Sequence, residues 1–140
     1  METENLIGQQ IDQYRIKSRL AQGGMAEVFI AQDVNLQREV VLKVMLATLA
    51  GGESFATRFR REAQTTARLN HPNIVQVYGA GFTPNGRPYL AMQYIRGGSL
   101  QDWLEKLAER GQRLSTADSL KIVSQIADAL NAAHEAGIIH

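Results

Sequence analysis

Between Tyr14 and Leu20 the chain alternates. Tyr14, Ile16, Ser18 and Leu20 fall on one side and Arg15, Lys17 and Arg19 on the other, the period-two pattern of a strand with one buried face. Gln22-Gly23-Gly24 interrupts the alternation and Val28-Phe29-Ile30 resumes it, which predicts a hairpin around a glycine turn. Residues 39–46 are apolar almost throughout, with Lys43 in their middle, and predict a third strand. From Ser54 to Leu69 the period changes to three and four, with Phe55, Phe59, Ala63 and Thr66 on one face and Pro72 just beyond, the pattern of an amphipathic helix and its stop. Residues 74–78 and 89–95 predict two more strands, joined through Asn85-Gly86, a strong hairpin signal.

Beyond Arg96-Gly97-Gly98, which reads as a linker, the pattern is helical. Ser99-Leu100-Gln101-Asp102 resembles a capping box ahead of a stripe of Leu100, Trp103, Leu104 and Leu107, with Gly111 as the stop. Ser115-Thr116-Ala117-Asp118 repeats the cap, followed by Ile122, Val123, Ile126, Leu130 and Ala133, and Gly137 ends that helix. The expected organisation is a tail over 1–13, five antiparallel strands and one helix over 14–95, a linker over 96–98 and a helical segment over 99–140. The fold class is α+β.

Composition narrows the function without naming it. In 140 residues, 44% are hydrophobic and 21% charged, and 15 basic against 14 acidic residues leave a net charge of +1. That balance argues for neither nucleic acid nor an anionic membrane as the partner. The absence of cysteine excludes disulfides, thiolate zinc sites and cysteine nucleophiles. His71, His134 and His140 have no metal-ligand spacing, so no metal site is expected. Residues 1–13 show neither the basic start nor the apolar core of a signal peptide, and no apolar run approaches membrane-spanning length. The chain reads as cytoplasmic.

Three features can carry chemistry. A Gly23-Gly24 pair is ordinarily a turn. Strand rather than helix follows it, against a dinucleotide fingerprint, and the Gly-Lys-Ser/Thr of a P-loop is absent. A glycine-rich hairpin can nevertheless fold over phosphates, because backbone N–H groups approach the oxygens unobstructed. Lys43, inside an apolar strand, must either be paired or reach solvent at the sheet's edge. Glu62 lies on or beside the apolar face of its helix, where a surface ion pair with Arg58, four residues away, is the ordinary role. Arg58, Arg60, Arg61 and Arg68 read as a solvated helix face rather than as a site for an acidic partner.

In order, these features resemble the protein-kinase fold, and specifically the bacterial Ser/Thr kinases similar to eukaryotic ones. The resemblance is carried by Leu20-Ala21-Gln22-Gly23-Gly24-Met25-Ala26-Glu27-Val28-Phe29, Val40-Val41-Leu42-Lys43, Phe59-Arg60-Arg61-Glu62-Ala63, Leu69-Asn70-His71-Pro72-Asn73-Ile74-Val75 and Gly137-Ile138-Ile139-His140. It implies a small lobe over 14–95 and the first two helices of a large lobe. It implies ATP as the ligand, with Gly23, Met25 and Ala26 at the tip of the phosphate-covering loop and Leu20, Ala21 and Gly24 also among the ATP-binding residues. Val28 and Val41 would sandwich adenine, and Lys43, held by Glu62, would bind the α- and β-phosphates. Met92 would guard the back of the pocket, the backbone of Gln93, Tyr94 and Ile95 would bond adenine, and Ser99 stands where many relatives place a ribose-binding acid.

The sequence departs from that pattern at Ala21 and Ala26, where two loop glycines are usual, and at Val41, where alanine is common. His140 aligns with the histidine opening the His-Arg-Asp motif. The 140 residues hold neither its aspartate nor the loop asparagine nor the metal-binding Asp-Phe-Gly. The expectation is therefore a kinase small lobe that transfers no phosphate by itself, with Mg2+ bound only in a complete domain. The alternatives are a nucleotide-binding or regulatory fragment that partners another kinase chain through its exposed helix, and an inert remnant. The complete enzyme would act on protein serine or threonine.

Overall fold

A computed structural model describes residues 5–46 and 52–139, with side chains from residue 54 onward in the second stretch. Among the described residues the elements are β1 (Gln10–Ile11), β2 (Tyr14–Gln22), β3 (Ala26–Asp33), β4 (Arg38–Met45), α1 (Gly52–Ala67), β5 (Val77–Phe82), β6 (Pro88–Gln93), α2 (Leu100–Glu109) and α3 (Thr116–Glu135). The strands form one antiparallel sheet in the order β1-β2-β3-β4-β6-β5. The chain divides into two units, one holding the sheet and α1, the other holding α2, α3 and residues Leu69–Val75.

In the first unit, alternation along each strand sorts side chains to two faces, and cross-strand partners share a face. Phe29 pairs with Leu42 and Leu42 with Ala91, while Ala31 pairs with Val40. These residues are fully buried, and Leu6, Ile11, Tyr14, Ile16, Val44 and Tyr89 complete the core. α1 packs against β5 and less extensively against β6. Ala63 is its buried residue there, and Phe59 meets Phe82 edge-on at 5.8 Å.

Two local features differ from the sequence pattern. The segment read as an N-terminal tail contributes a sixth, short strand. Ile11 pairs with Tyr14, and Leu6 is wholly buried in the core. In β2 the alternation holds for Tyr14 and Ile16 and then fails, leaving Ser18 exposed and Leu20 49% exposed. Register shifts between Ile16 and Ser18 and between Arg19 and Ala21 are the reason, since each extra residue re-aims the side chains that follow.

The Asn85-Gly86 hairpin closes between β5 and β6, with Gly86 at φ +78° and Thr83 N–H donating to Arg87 O at 2.8 Å. In the second unit Ser99 caps α2 and Ser115 caps α3, each hydroxyl accepting from the N–H three residues on. Gly111 and Gly137 adopt positive φ just past the two helices. Asn73 Nδ2 donates to Gln125 O at 3.2 Å, tying Leu69–Val75 to α3. Among the described residues α2 buries none of its side chains and α3 buries Ala133 alone.

Candidate functional site

The second face of the sheet collects chemistry-bearing residues from three strands. Val28 on β3 is paired with Lys43 on β4, and Lys43 with Leu90 on β6. Val41 is paired with Ile30 on one side and Met92 on the other, and Ala26 with Met45. Ala26, Val28, Val41, Lys43 and Met92 therefore share one face, opposite the one that carries Phe29 and Leu42. Phe82 is paired with Pro88, two positions from Leu90, so α1 covers the β5 end of this same face through Phe59.

Lys43 is exposed, which removes the burial cost that its apolar strand suggested. Glu62 on α1 is exposed as well. Among the described residues it forms no ion pair with Lys43 or with Arg58. Arg58, Arg60, Arg61 and Arg68 are likewise exposed, and Arg60 lies over the Phe82 ring at 5.2 Å.

The glycine turn joins β2 to β3. Gly23 N–H donates to Ala26 O at 2.9 Å, and Leu46 N–H donates to Met25 O at 3.1 Å, fastening the turn to the end of β4. Leu20, Ala21, Gly23, Gly24 and Met25 are exposed and Ala26 is buried. Gly23 and Gly24 lie outside the positive-φ region. A Cβ at Gly24 would meet nothing within 4 Å, and one at Gly23 only Ala26 O at 3.8 Å. Neither backbone conformation nor neighbouring atoms demand glycine there. What their small size leaves is open space over the turn.

At the end of β6, Gln93 is engaged with the residue before β5. Its N–H donates to Gln76 O at 2.8 Å, and its side-chain oxygen accepts from Gln76 N–H. Tyr94 follows, partly buried. Ile95 and Ser99 belong to the second unit, where Ile95 is exposed. Ser99 is committed to the α2 cap. Its N–H donates to Asp102 Oδ2 at 2.6 Å, and its hydroxyl accepts from Asp102 N–H at 3.1 Å. The Ser99 N–H and then its hydroxyl hold the Asp102 carboxyl below the usual carboxylate range. His140 lies outside the described residues.

The sequence reading missed a cluster at the root of the glycine turn. Glu27 is fully buried, with Oε1 2.7 Å from Arg19 Nη2 and Oε2 2.6 Å from Arg87 Nη2. Arg87 also donates through Nε to Met45 O at 2.9 Å. The signal was available: Glu27 is in phase with Phe29 and Ala31, which places a carboxylate on the core face of β3.

A pocket of about 270 Å³ lies between α1 and β5, lined by Arg60, Ala63, Gln64, Ala67, Val77, Gly79 and Ala80. Val77 and Ala80 pair with Met92 and Leu90, so the pocket lies on the same face as Lys43, at its β5 end, although neither Lys43 nor Val41 lines it. Among the described residues, no group of three or more His, Asp or Glu is arranged to hold a metal ion, and no helix is long and apolar enough to cross a membrane.

Known proteins share this arrangement. The protein kinase domain family matches residues 14–140. Serine/threonine-protein kinase PknB of Mycolicibacterium smegmatis is 43% identical over 132 residues, 92% of this chain and 20% of the relative. Serine/threonine-protein kinase pkn3 of Myxococcus xanthus is 39% identical over 140 residues, 99% of this chain and 25% of the relative. The crystal structure of the Mycobacterium tuberculosis PknI kinase domain aligns over 95% of this chain and 52% of its own, with a TM-score of 0.76 and 30% identity. This chain thus spans a fifth to a quarter of those curated relatives and about half of the solved domain. It belongs to the protein kinase family. Its similarity is to the bacterial serine/threonine branch, and its sheet, α1 and two further helices are the small lobe and the start of the large lobe of that fold.

Proposed function

We propose that the Lys43 face and the glycine turn above it bind the nucleotide donor of a serine/threonine protein kinase, and that the whole protein transfers the γ-phosphoryl group of Mg-ATP to serine or threonine hydroxyls of proteins. The observation that supports this best is the pair Gly23-Gly24. Their fold-independent smallness has a use if polyanionic oxygens approach the backbone closely.

The residues fit such a ligand. Val28 and Val41 offer an apolar slot, and Met92, paired with Val41, closes its side toward β6. Lys43, charged and exposed beside Val28, can donate to phosphate oxygens without breaking an ion pair among the described residues. Glu62 reaches Lys43 only if α1 or the two side chains rearrange, so ligand capture and formation of that pair are proposed to be coupled. Magnesium, when bound with ATP, would neutralise charge developing between the β- and γ-phosphates. The 140 residues contain no Asp-Phe-Gly to hold it, so this stretch alone is proposed to bind nucleotide weakly and to transfer nothing.

Isothermal titration of the 140-residue chain with Mg-ATP tests the binding reading, and labelled ATP with a basic acceptor protein tests transfer. Saturable binding without labelling is expected. No binding at any attainable concentration overturns the donor-site reading. Labelling that depends on Lys43 overturns the proposed incompetence and supports the enzymatic one.

A further inference from the structure

Glu27 is a fully buried carboxylate on the core face of β3, in phase with Phe29 and Ala31. Its cross-strand neighbour is Val44, and the next strand places Tyr89 beside Val44. A buried carboxylate is costly unless its oxygens are bonded. Here both are, each to a different arginine and each at a short, charge-assisted distance. Stability alone does not call for the arrangement, because apolar residues of similar volume commonly serve a core as well or better.

Geometry supplies another reason. Arg19 stands on β2, which enters the glycine turn, and Glu27 stands on β3, which leaves it. Arg87, from the hairpin before β6, bonds Glu27 and, through Nε, the Met45 carbonyl at the end of β4. The next residue, Leu46, is the one whose N–H holds Met25 O. The triad thus joins both arms of the turn to the strand end on which its tip rests. Gly23 and Gly24 have no side chains with which to fix themselves, so the position of the turn must be set from its root.

We propose that Arg19, Glu27 and Arg87 are positioning residues that fix the height of Gly23–Met25 over the Lys43 face, and with it the reach of the turn to ligand phosphates. The ligand half of this statement rests on the nucleotide reading above. Arg87 is central, because its planar fork serves two acceptors at once, a geometry that a lysine ammonium does not reproduce.

Arg87→Lys keeps the charge and severs the fork, while Glu27→Gln keeps the shape and removes the charge. In the full chain, amide hydrogen exchange at Gly23 and Leu46 reports on the turn without any ligand. Titrations with ATP and with adenosine, which lacks phosphates, report on its reach. Faster exchange at both amides is expected in Arg87→Lys, together with about ten- to a hundredfold weaker ATP binding and adenosine affinity nearly unchanged. Should Glu27→Gln fail to fold, Arg87→Lys decides. Unchanged exchange at Gly23 and Leu46 overturns the proposal, as does an equal loss of ATP and adenosine, the signature of a general structural role. An unmutated chain that binds neither ligand overturns the nucleotide reading instead, and the exchange measurement still decides whether the triad holds the turn.

Discussion

The Tyr89 ring occupies the space that a side chain at Gly81 would need. These residues are cross-strand partners on β6 and β5, and a Cβ at Gly81 would lie 2.8 Å from the Tyr89 hydroxyl and 2.9 Å from two ring carbons. The ring cannot simply swing away. It is buried, packs edge-on against Tyr14 at 6.0 Å, and its hydroxyl donates to Asp12. Gly81→Ala is expected to destabilise the sheet by about 1–3 kcal/mol through overpacking. In a double-mutant cycle with Tyr89→Phe, measured by urea unfolding, the two losses should fall short of additivity, since the second change removes the closest contact.

Alkaline stability follows from the same ring. Burial first, and then the hydrogen bond and charge of Asp12, hold the Tyr89 hydroxyl protonated well above its ordinary value of 10.0. Burial and Asp33 raise Tyr14 as well, with Arg38 opposing. Below that ordinary value both folded and unfolded chains keep the proton, so this contribution to stability is fully present. As pH rises past it the unfolded chain releases protons that the folded chain retains, and stability falls. Unfolding curves collected from neutral to alkaline pH should steepen in this sense for the unmutated chain and less so for Tyr89→Phe. Parallel curves would remove Tyr89 from the explanation.

Lys43→Met separates fold from ligand. Lys43 is exposed and lacks an ion pair among the described residues, so its loss should shift stability by no more than about 0.5 kcal/mol. A charge-assisted bond to phosphate is worth roughly 1.5–3 kcal/mol, so ATP affinity should fall about ten- to a hundredfold. Calorimetric titration of both proteins checks this, and equal affinities remove Lys43 from the site.

The helical unit should respond differently from the sheet. On α3, Leu120, Val123, Ile126 and Leu130 are 40–65% exposed, whereas Leu42 on β4 is fully buried. Leu42→Ala is expected to cost about 2–5 kcal/mol, and Ile126→Asn well under 1 kcal/mol on the scale of surface changes. Hydrogen exchange over residues 116–135 should be less protected than over 40–46 and 89–95. Comparable protection in a monomeric chain would refute this.

Much of the fold was legible because it is written in short-range patterns. The two serine caps, the Asn85-Gly86 turn and the α1 face of Phe55, Phe59 and Ala63 follow from local geometry alone. β5 was harder. The apolar run ending at Tyr78 suggested 74–78, yet the strand is Val77–Phe82, because Gly79 and Gly81 are strand residues chosen to admit Tyr14 and Tyr89 rather than turn residues. β1 escaped because a two-residue strand has no period. On the candidate site, the shared face of Val28, Val41, Lys43 and Met92 could be anticipated from alternation. The arginines that meet Glu27 could not, since they come from residues 8 positions before it and 60 after it.

The sheet also governs how copies of this chain can meet. One edge strand, β1, is two residues long, and the other, β5, lies against α1. The outer edge of β2 beyond Ile16 carries Lys17 and Arg19 and two register shifts. On that side a short strand, charges and irregular register deny an incoming strand a continuous ladder to extend. Edge-to-edge extension of the sheet is thereby disfavoured on its β1–β2 side.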